Sequence, residues 1–411
     1  MRVLFVVPYT PNLIRVRSYN LIRYLSERGH QVTVLTLSGN SAEQADLTEL
    51  AEYCHQVVPF PLSSWRSLWN CFVALPTRKP LQSVYCWQPS LAGQLGQLVD
   101  GSNGQIPYDT VHIEHLRGVR YGLYLNGIFD NTDKRLPIIW DSVDCISSLF
   151  KQASVQSRNS FGRLVTRFEL GRTERYEGWL ITQFSKVLVT SPVDKQALIE
   201  LSNEVDDSPE IMVLPNGVDL NYFQPDPSFA RELATILISG KMSYHANVTM
   251  ALHLIKDIMP NVWARRPEVK VLIVGKDPPR ELMKLSDHPL IDVTGTVPDV
   301  LPYLQRATIA AAPITYGAGI QNKVLEAMAC ATPVIASKQA TEALNVNPGT
   351  ELMVAEDSKT FAEQILRLLE NPEHRDDLGK RGRAYVELNH NWETIAGQLE
   401  EIYFSAAQHI A

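Results

Sequence analysis

The first forty residues confine the chain to one class of fold. Val3-Leu-Phe-Val-Val7 is an uninterrupted apolar run, Pro8–Ile14 breaks it, Val16–Glu27 carries helical spacing up to Gly29, and Gln31–Leu37 is a second β-rich run. A strand without polar alternation is buried on both faces, and strand, helix, strand in this short a span implies a parallel pair with the helix packed on the sheet. Apolar runs at 109–114, 137–140 and 186–190 each hand over to a helical segment in the same way. The first half is expected to be a doubly wound parallel sheet.

The pattern then begins again. Pro and Gly in Leu214-Pro-Asn-Gly-Val-Asp219 mark a turn, the polar stretch 219–230 reads as a linker, and strands at 234–238, 270–274, 307–311 and 333–336 alternate with helices near 247–258, 300–306, 320–330 and 358–370. At 411 residues the chain exceeds the roughly 250–300 at which one core stops growing. The expectation is α/β, with two Rossmann-like doubly wound parallel-sheet domains facing a cleft. The first covers 1–210 and is completed by a C-terminal helix over 392–411; the second covers 211–391.

Composition narrows the partners. The formal charge of −7 argues against a nucleic-acid binder, and Cys54, Cys71, Cys86, Cys145 and Cys330 lack the spacing of a disulfide framework or zinc site. Only five apolar residues precede Pro8, and no apolar run approaches the roughly 18 residues of a membrane span, so a cytoplasmic protein is expected, membrane-peripheral at most. One basic segment, 151–186, has a net charge of +4 with Phe161, Leu164, Phe168 and Trp179 interleaved; contact with an anionic membrane competes there with a solvated helix face.

In open parallel sheets ligands sit beyond the carboxyl ends of the strands. The loop Ile314-Thr-Tyr-Gly-Ala-Gly-Ile-Gln-Asn-Lys-Val-Leu-Glu326 runs from a strand through two glycines into a helix, a geometry that cradles phosphate on free N–H groups. Lys323 and Glu326 share a helix face, the lysine placed for a phosphate and the carboxylate for a sugar hydroxyl, with a surface ion pair as the competing reading. No G-x-G-x-x-G opens the first helix of either domain, which argues against a dinucleotide dehydrogenase.

Leu325-Glu-Ala-Met-Ala-Cys-Ala-Thr-Pro-Val-Ile-Ala-Ser337, Pro215-Asn-Gly-Val-Asp219 and the opening strand resemble the nucleotide-sugar glycosyltransferases of family four, which have the GT-B fold. The resemblance implies a retaining transfer of sugar to a hydroxyl acceptor, with a nucleotide-sugar donor in the second domain and no cofactor. The family's E-x(7)-E motif places its second glutamate, a ribose ligand, on Glu326, while its first falls on Ala318. Where the family has an arginine and a lysine six residues apart, this chain has Lys241 and Asn247, after Gly240; Lys323 is a candidate replacement for the lost cation. The G-A-G-I-Q-N-K variant resembles sugar transferases of exopolysaccharide gene clusters.

The resemblance thus implies donor contacts at Gly240, Asn247, Gly295, Gly319, Ile320, Gln321, Asn322 and Glu326, with Lys241 and Lys323 meeting leaving-group charge in place of a metal ion. In the first domain Val111-His-Ile-Glu-His-Leu-Arg117 ends a strand where the family carries a cleft histidine; His112, Glu114 and His115 compete, and His115 is taken as the catalytic candidate. Glu114, Asp141 and Arg17 are candidates for the acceptor or a phosphate, with N-capping of a helix near Cys145 as the other reading of Asp141 and Asp144. A nucleotide-sugar 2-epimerase and a non-catalytic sugar-nucleotide-binding module are the rival functions.

Overall fold

The computed structural model describes residues 1–39, 43–100, 106–132, 135–156, 160–202, 210–316 and 320–408, and within 153–165 only the backbone. It divides into two compact units, Met1–Pro215 with Trp392–Ala411, and Asn216–Asn391.

The first unit is a parallel sheet in the order β3-β2-β1-β4-β5-β6-β7. Its strands are β1 (Arg2–Val7), β2 (Gln31–Ser38), β3 (Gln56–Pro61), β4 (Thr110–Glu114), β5 (Ile138–Val143), β6 (Lys186–Val189) and β7 (Ile211–Val213). Successive side chains of β1 enter opposite cores: Leu4 and Val6 pack with Leu116 and Trp140, while Val3, Phe5 and Val7 pack with Leu25, Trp392 and Tyr403. Period-two geometry with apolar layers on both sides is why the run carries no polar residue. The second of these layers includes the helix Trp392–Gln408, tied to the first helix by Glu400, which meets Arg28 and, at 3.0 Å, His30.

The second unit repeats the plan with β8 (Thr235–Ser239), β9 (Lys270–Val274), β10 (Ile291–Gly295), β11 (Ile309–Ala312), β12 (Val334–Ser337) and β13 (Met353–Ala355), in the order β10-β9-β8-β11-β12-β13. Both sheets reverse their winding direction once, between β1 and β4 and between β8 and β11. Such a switch point opens a crevice at the carboxyl ends of the two central strands.

Two expectations change. The chain passes to the second unit after Pro215, not after 210, because Ile211–Val213 pairs with β6. The stretch 219–230 is packed against the second unit and is no linker: Arg383 donates to the carbonyls of Phe223 and Ala329 at 2.6 and 2.7 Å, and Gln305 donates to that of Gln224.

Candidate functional site

In the second unit the switch point brings together residues 76 positions apart. β8 ends at Ser239, Gly240 turns the chain at φ +144°, and the helix His245–His253 carries Asn247 in its first turn. Across the switch point, the loop after β11 leads into the helix Asn322–Ala329. Lys323 Nζ donates to Asn247 Oδ1 at 2.9 Å, and Asn247 Nδ2 donates to the Lys241 carbonyl at 2.9 Å. A Cβ on residue 240 would stand 3.0 Å from Asn247 Nδ2 and 3.3 Å from Lys323 Cε, so a glycine there leaves the seat of the ammonium open. Gly275, at the end of β9, lies so close that a Cβ would overlap the Gly240 carbonyl oxygen.

Burial pulls the Lys323 ammonium down to about 8, with Glu326 opposing, and pushes the Glu326 carboxyl up to about 7 against the pull of Lys323. Each is thus poised near neutrality in a half-buried site. Gln321 occupies the N-cap position without a side-chain cap to the first turn, and its Oε1 lies 3.4 Å from Lys323 Nζ. Asn322 Oδ1 is buried with no hydrogen-bond partner among the described residues. His245 Nδ1 meets the Tyr316 hydroxyl at 2.5 Å and the two rings stack, a contact that spacing did not single out although both residues flank the glycine loops.

The remaining donor-side candidates divide. Gly319, with Gly317 and Ala318, lies outside the described residues. Ile320 is 8% exposed and part of the hydrophobic core, so its side chain serves packing and only its backbone remains for a ligand. Gly295 ends β10, an edge strand separated from β8 by β9, at φ +71°.

In the first unit the ends of β1, β4 and β5 hold a buried polar network. Arg17 Nε and Asp141 Oδ2 form an ion pair at 2.8 Å, 5% and 0% exposed, and Arg17 Nη1 donates to the Leu214 and Pro215 carbonyls at 3.0 and 3.3 Å. Burial works to raise the Asp141 carboxyl, but Arg17 and His112 outweigh it and hold it below its ordinary range. Arg17 and Asp141, expected to meet a phosphate or acceptor, thus neutralise each other in the interior. His112 Nδ1 meets the Tyr403 hydroxyl at 2.9 Å and its ring stacks on Phe5, which places it in the structural network. Tyr9 donates to Glu114 Oε1 at 2.5 Å, and burial, reinforced by Asp141, pushes the Glu114 carboxyl up to about 7.

His115 turns the corner from β4 into the helix His115–Phe129 at φ +63°, a conformation rare outside glycine, and Val143 at the end of β5 has φ +69°. Among the described residues Asp277 and Ala331 also have positive φ, but only His115 and Val143 stand at neighbouring strand ends, those of β4 and β5. The His115 imidazole is pulled down to about 3 by burial and by Arg117, and its Nδ1 accepts the Arg117 N–H at 3.2 Å. The ring is therefore neutral with its proton on Nε2: a hydrogen-bond donor, not a base. The helix Ile146–Gln156 is capped differently from expectation. Asp194 accepts from Cys145 N–H and Glu177 from Ile146 and Ser147 N–H, all at 2.9 Å, so neither Asp141 nor Asp144 caps it.

Of the basic segment 151–186, the side chains of Arg158, Phe161, Arg163 and Leu164 lie outside the described residues. Lys186 is buried beside Glu210, and Arg172 is bound to the Leu75 carbonyl at 2.6 Å. Among the described residues no three His, Cys, Asp or Glu side chains gather as metal ligands, and no helix is long and apolar enough to cross a membrane.

Residues 234–371 match the family described as Glycosyl transferases group 1. The chain is 29% identical over 241 residues to a GDP-mannose-dependent monoacylated alpha-(1-6)-phosphatidylinositol monomannoside mannosyltransferase of Corynebacterium glutamicum, covering 53% of this chain and 62% of that one. It is 26% identical over 201 residues to the phosphatidyl-myo-inositol mannosyltransferase of Mycolicibacterium smegmatis, covering 46% and 50%. The chain thus spans less than two thirds of the length of these curated relatives. Among solved structures it resembles Anabaena HepE in complex with UDP-glucose, at TM-score 0.66, 15% identity and 98% and 100% coverage. Sucrose-phosphate synthase of Thermosynechococcus elongatus is similar at TM-score 0.66, 19% identity and 98% and 99% coverage. Residues 234–371 are a Glycosyl transferases group 1 domain, and the chain that carries them has the GT-B fold.

Proposed function

We propose that the chain is a retaining glycosyltransferase that moves a sugar from a nucleotide-sugar donor, held by the second unit, to a hydroxyl acceptor, held by the first. The observation that carries this reading is the Lys323 ammonium seated on Asn247 beside Gly240. It is a cation at a switch point, at the start of a helix, with its neighbouring side chain removed by glycine. A diphosphate meets there Lys323, Lys241 and the helix N–H groups, which supply positive charge as the bond to the sugar breaks. Charge held in place in this way does a divalent ion's work, and the transfer needs neither metal nor cofactor. Glu326, one helical turn on, accepts hydrogen bonds from the ribose hydroxyls. His115 offers its Nε2–H to a sugar or acceptor hydroxyl, held in that tautomer by the Arg117 amide.

Asn247 in place of a basic residue favours a second reading, a module that binds sugar nucleotides without turnover. The hydrogen bond from Lys323 to Asn247 speaks against it, since the charge has a carrier at the same spot. A thermal-shift panel of nucleotide sugars that includes GDP-mannose and UDP-glucose identifies the donor, because a ligand at 100 times its Kd stabilises by about 2.7 kcal/mol. Incubation of that donor with candidate acceptors, lipid-linked and soluble, then tests transfer. NMR of the product reads its anomeric configuration. Lys241→Met is expected to depress kcat more than it raises KM; a pure KM effect makes the lysine a binding group only. Epimerised donor without an acceptor product would overturn the reading.

A further inference from the structure

The helix Ser64–Ala74 of the first unit is packed inside out. Its small and polar residues Ser67, Asn70 and Ala74 are buried, whereas Trp65, Leu68, Trp69, Phe72 and Val73 are 82, 58, 59, 64 and 54% exposed. These five recur at the spacing of a single helix face, the stripe that a surface helix normally turns toward its own core. The orientation is fixed: Asn70 Nδ2 donates to the Trp87 carbonyl at 2.9 Å, and Ser63 caps the first turn by accepting from Arg66 N–H. An apolar face of this size held outward marks an interaction site.

The charge around it selects the partner. Residues 53–99 contain no Asp or Glu, in a chain with 45 of them, but hold Arg66, Arg78 and Lys79. The tract continues onto the helix Ser160–Leu180: Arg172 binds the Leu75 carbonyl at the end of the apolar helix and covers the exposed Phe168 ring at 4.1 Å. Glu169, the carboxylate beside this junction, is buried and accepts the Leu81 N–H at 2.7 Å. Next to it opens a hollow of about 350 Å³ walled by Trp87, Tyr124, Tyr176 and Trp179, with Lys79 and Arg120 as its cations. The Arg120 guanidinium lies over the Trp87 ring at 4.2 Å. Burial disfavours its charge, Tyr176 and Tyr121 work against this, and the nearby Arg66 adds to it.

Arg172 pairs with the buried Glu169 at 3.7 Å, but Arg66, Lys79 and Arg120 have no carboxylate within ion-pair distance among the described residues. These cations, the aromatic walls and the outward apolar helix together describe a surface for anionic amphiphiles. We propose that the helix Ser64–Ala74 lies in the surface of an anionic phospholipid bilayer, with its aromatic side at the headgroup–acyl boundary and a lipid phosphate in the Arg120–Lys79 hollow. This moves the membrane contact expected from 151–186 onto a different element, with the second helix contributing its edge. The inference needs no donor or acceptor and stands or falls separately from the transfer reaction.

The test is co-sedimentation of the full chain with vesicles of phosphatidylcholine alone and of phosphatidylcholine with phosphatidylglycerol. Binding is expected only with the anionic lipid and weakens with salt; equal binding to both vesicles overturns the proposal. Replacing Trp65, Trp69 and Phe72 together by Ser, all exposed and so without cost to the fold, is expected to abolish sedimentation. Arg120→Gln and Lys79→Gln are each expected to weaken it about fivefold, from roughly 1 kcal/mol per cation. Variants that bind like wild type overturn it. Independently of any variant, brominated acyl chains must quench the tryptophan fluorescence of the bound wild-type chain, and unquenched fluorescence counts against the helix lying in the bilayer. A concentration-dependent dimer that the triple variant dissolves, without vesicle binding, assigns the face to a second copy of the chain and overturns the proposal.

Discussion

Donor affinity is expected to pass through a narrow pH optimum, and each limb has a named residue. The Lys323 ammonium titrates at about 8 in the free protein, where burial has pulled it from its ordinary 10.5. A nucleotide-sugar diphosphate stays doubly charged across this range and restores the partner that burial removed. One full charge about 4 Å from the ammonium at an effective dielectric of about 20 gives about 4 kcal/mol, near three pKa units, enough to return the lysine to its ordinary value. The bound state then holds a proton that the free state has lost. Affinity therefore falls as pH rises through 8: the charged fraction drops from about nine tenths at pH 7 to about one tenth at pH 9, and Kd rises about tenfold. Glu326, at about 7, sets the acid limb, because ribose hydroxyls need the ionised carboxylate; its ionised fraction drops equally from pH 8 to pH 6.

Titration calorimetry at constant ionic strength, with GDP-mannose and UDP-glucose in turn, measures both limbs. Lys323→Met should remove the alkaline limb and move the acid limb to higher pH, because the lysine no longer holds Glu326 down; Glu326→Gln should remove the acid limb and move the alkaline one to lower pH. A wild-type Kd that is flat from pH 7 to pH 9, or an alkaline limb that survives in Lys323→Met, refutes the assignment of the ammonium to the diphosphate.

Three further outcomes follow from the same structure. Glu326→Ala is expected to weaken donor binding by about 1.5–3 kcal/mol, the range of charge-assisted hydrogen bonds, without lowering the melting temperature of the free protein at neutral pH, since it removes a carboxyl whose charge burial disfavours; unaltered affinity would remove Glu326 from the site. Asp141→Asn removes the carboxylate of a buried ion pair and is expected to cost about 3–5 kcal/mol in chemical denaturation, against under 1 kcal/mol if the pair is marginal. Glu114, Asp144, Glu177 and Glu326 all titrate at about 7 in the folded chain, far above their unfolded values, so the fold binds more protons than the unfolded chain and loses stability as pH rises through 7. His30, His112, His115 and His390 are lowered and act in the opposite sense, mostly below their ordinary 6.5, so Tm of the free protein should fall between pH 6.5 and 8; a rising Tm in that window would contradict the burial of these carboxyls.

What the sequence disclosed of this fold depended on whether a strand's surroundings are uniform. β1 lies between two apolar layers and is fully buried at every position from Val3 to Val7, so its run of apolar residues could signal nothing else. The strands that went unread stand at sheet edges or are short: β3 contains Pro59 and Pro61, β7 and β13 have three residues each, and β10 alternates with Asp292 exposed. Periodicity also cannot say which way a stripe faces. Trp65, Leu68, Trp69 and Phe72 have the spacing of a core face and point to solvent, because what fixes the helix is Asn70 on the opposite side. Likewise Arg17 reads as an anion site at a helix start until Asp141, 124 residues away, is seen to fill that role.

The candidate site of the second unit was more legible because topology brings its parts together. Loops that follow the two central strands of a doubly wound sheet must open side by side, so Gly240–Asn247 and Gln321–Glu326 meet whatever separates them in sequence. The same geometry explains how a cation can change its carrier. Read position by position, Asn247 is a lost charge where the related enzymes are expected to have a lysine. In the fold, residue 247 and residue 323 start two helices that face each other across one turn, and an ammonium reaching from either helix arrives at the same place. Asn247 then becomes the acceptor that holds Lys323 at 2.9 Å, and Gly240 leaves both the room to meet. The two substitutions compensate only as a pair. Asn247→Lys in the wild-type background would set two ammonium groups within hydrogen-bonding distance and drive Lys323 further down in pKa, whereas Asn247→Lys with Lys323→Met would restore a single cation by the other route. Donor affinity retained in the double variant and lost in the single one is the result that the shared position of the charge requires.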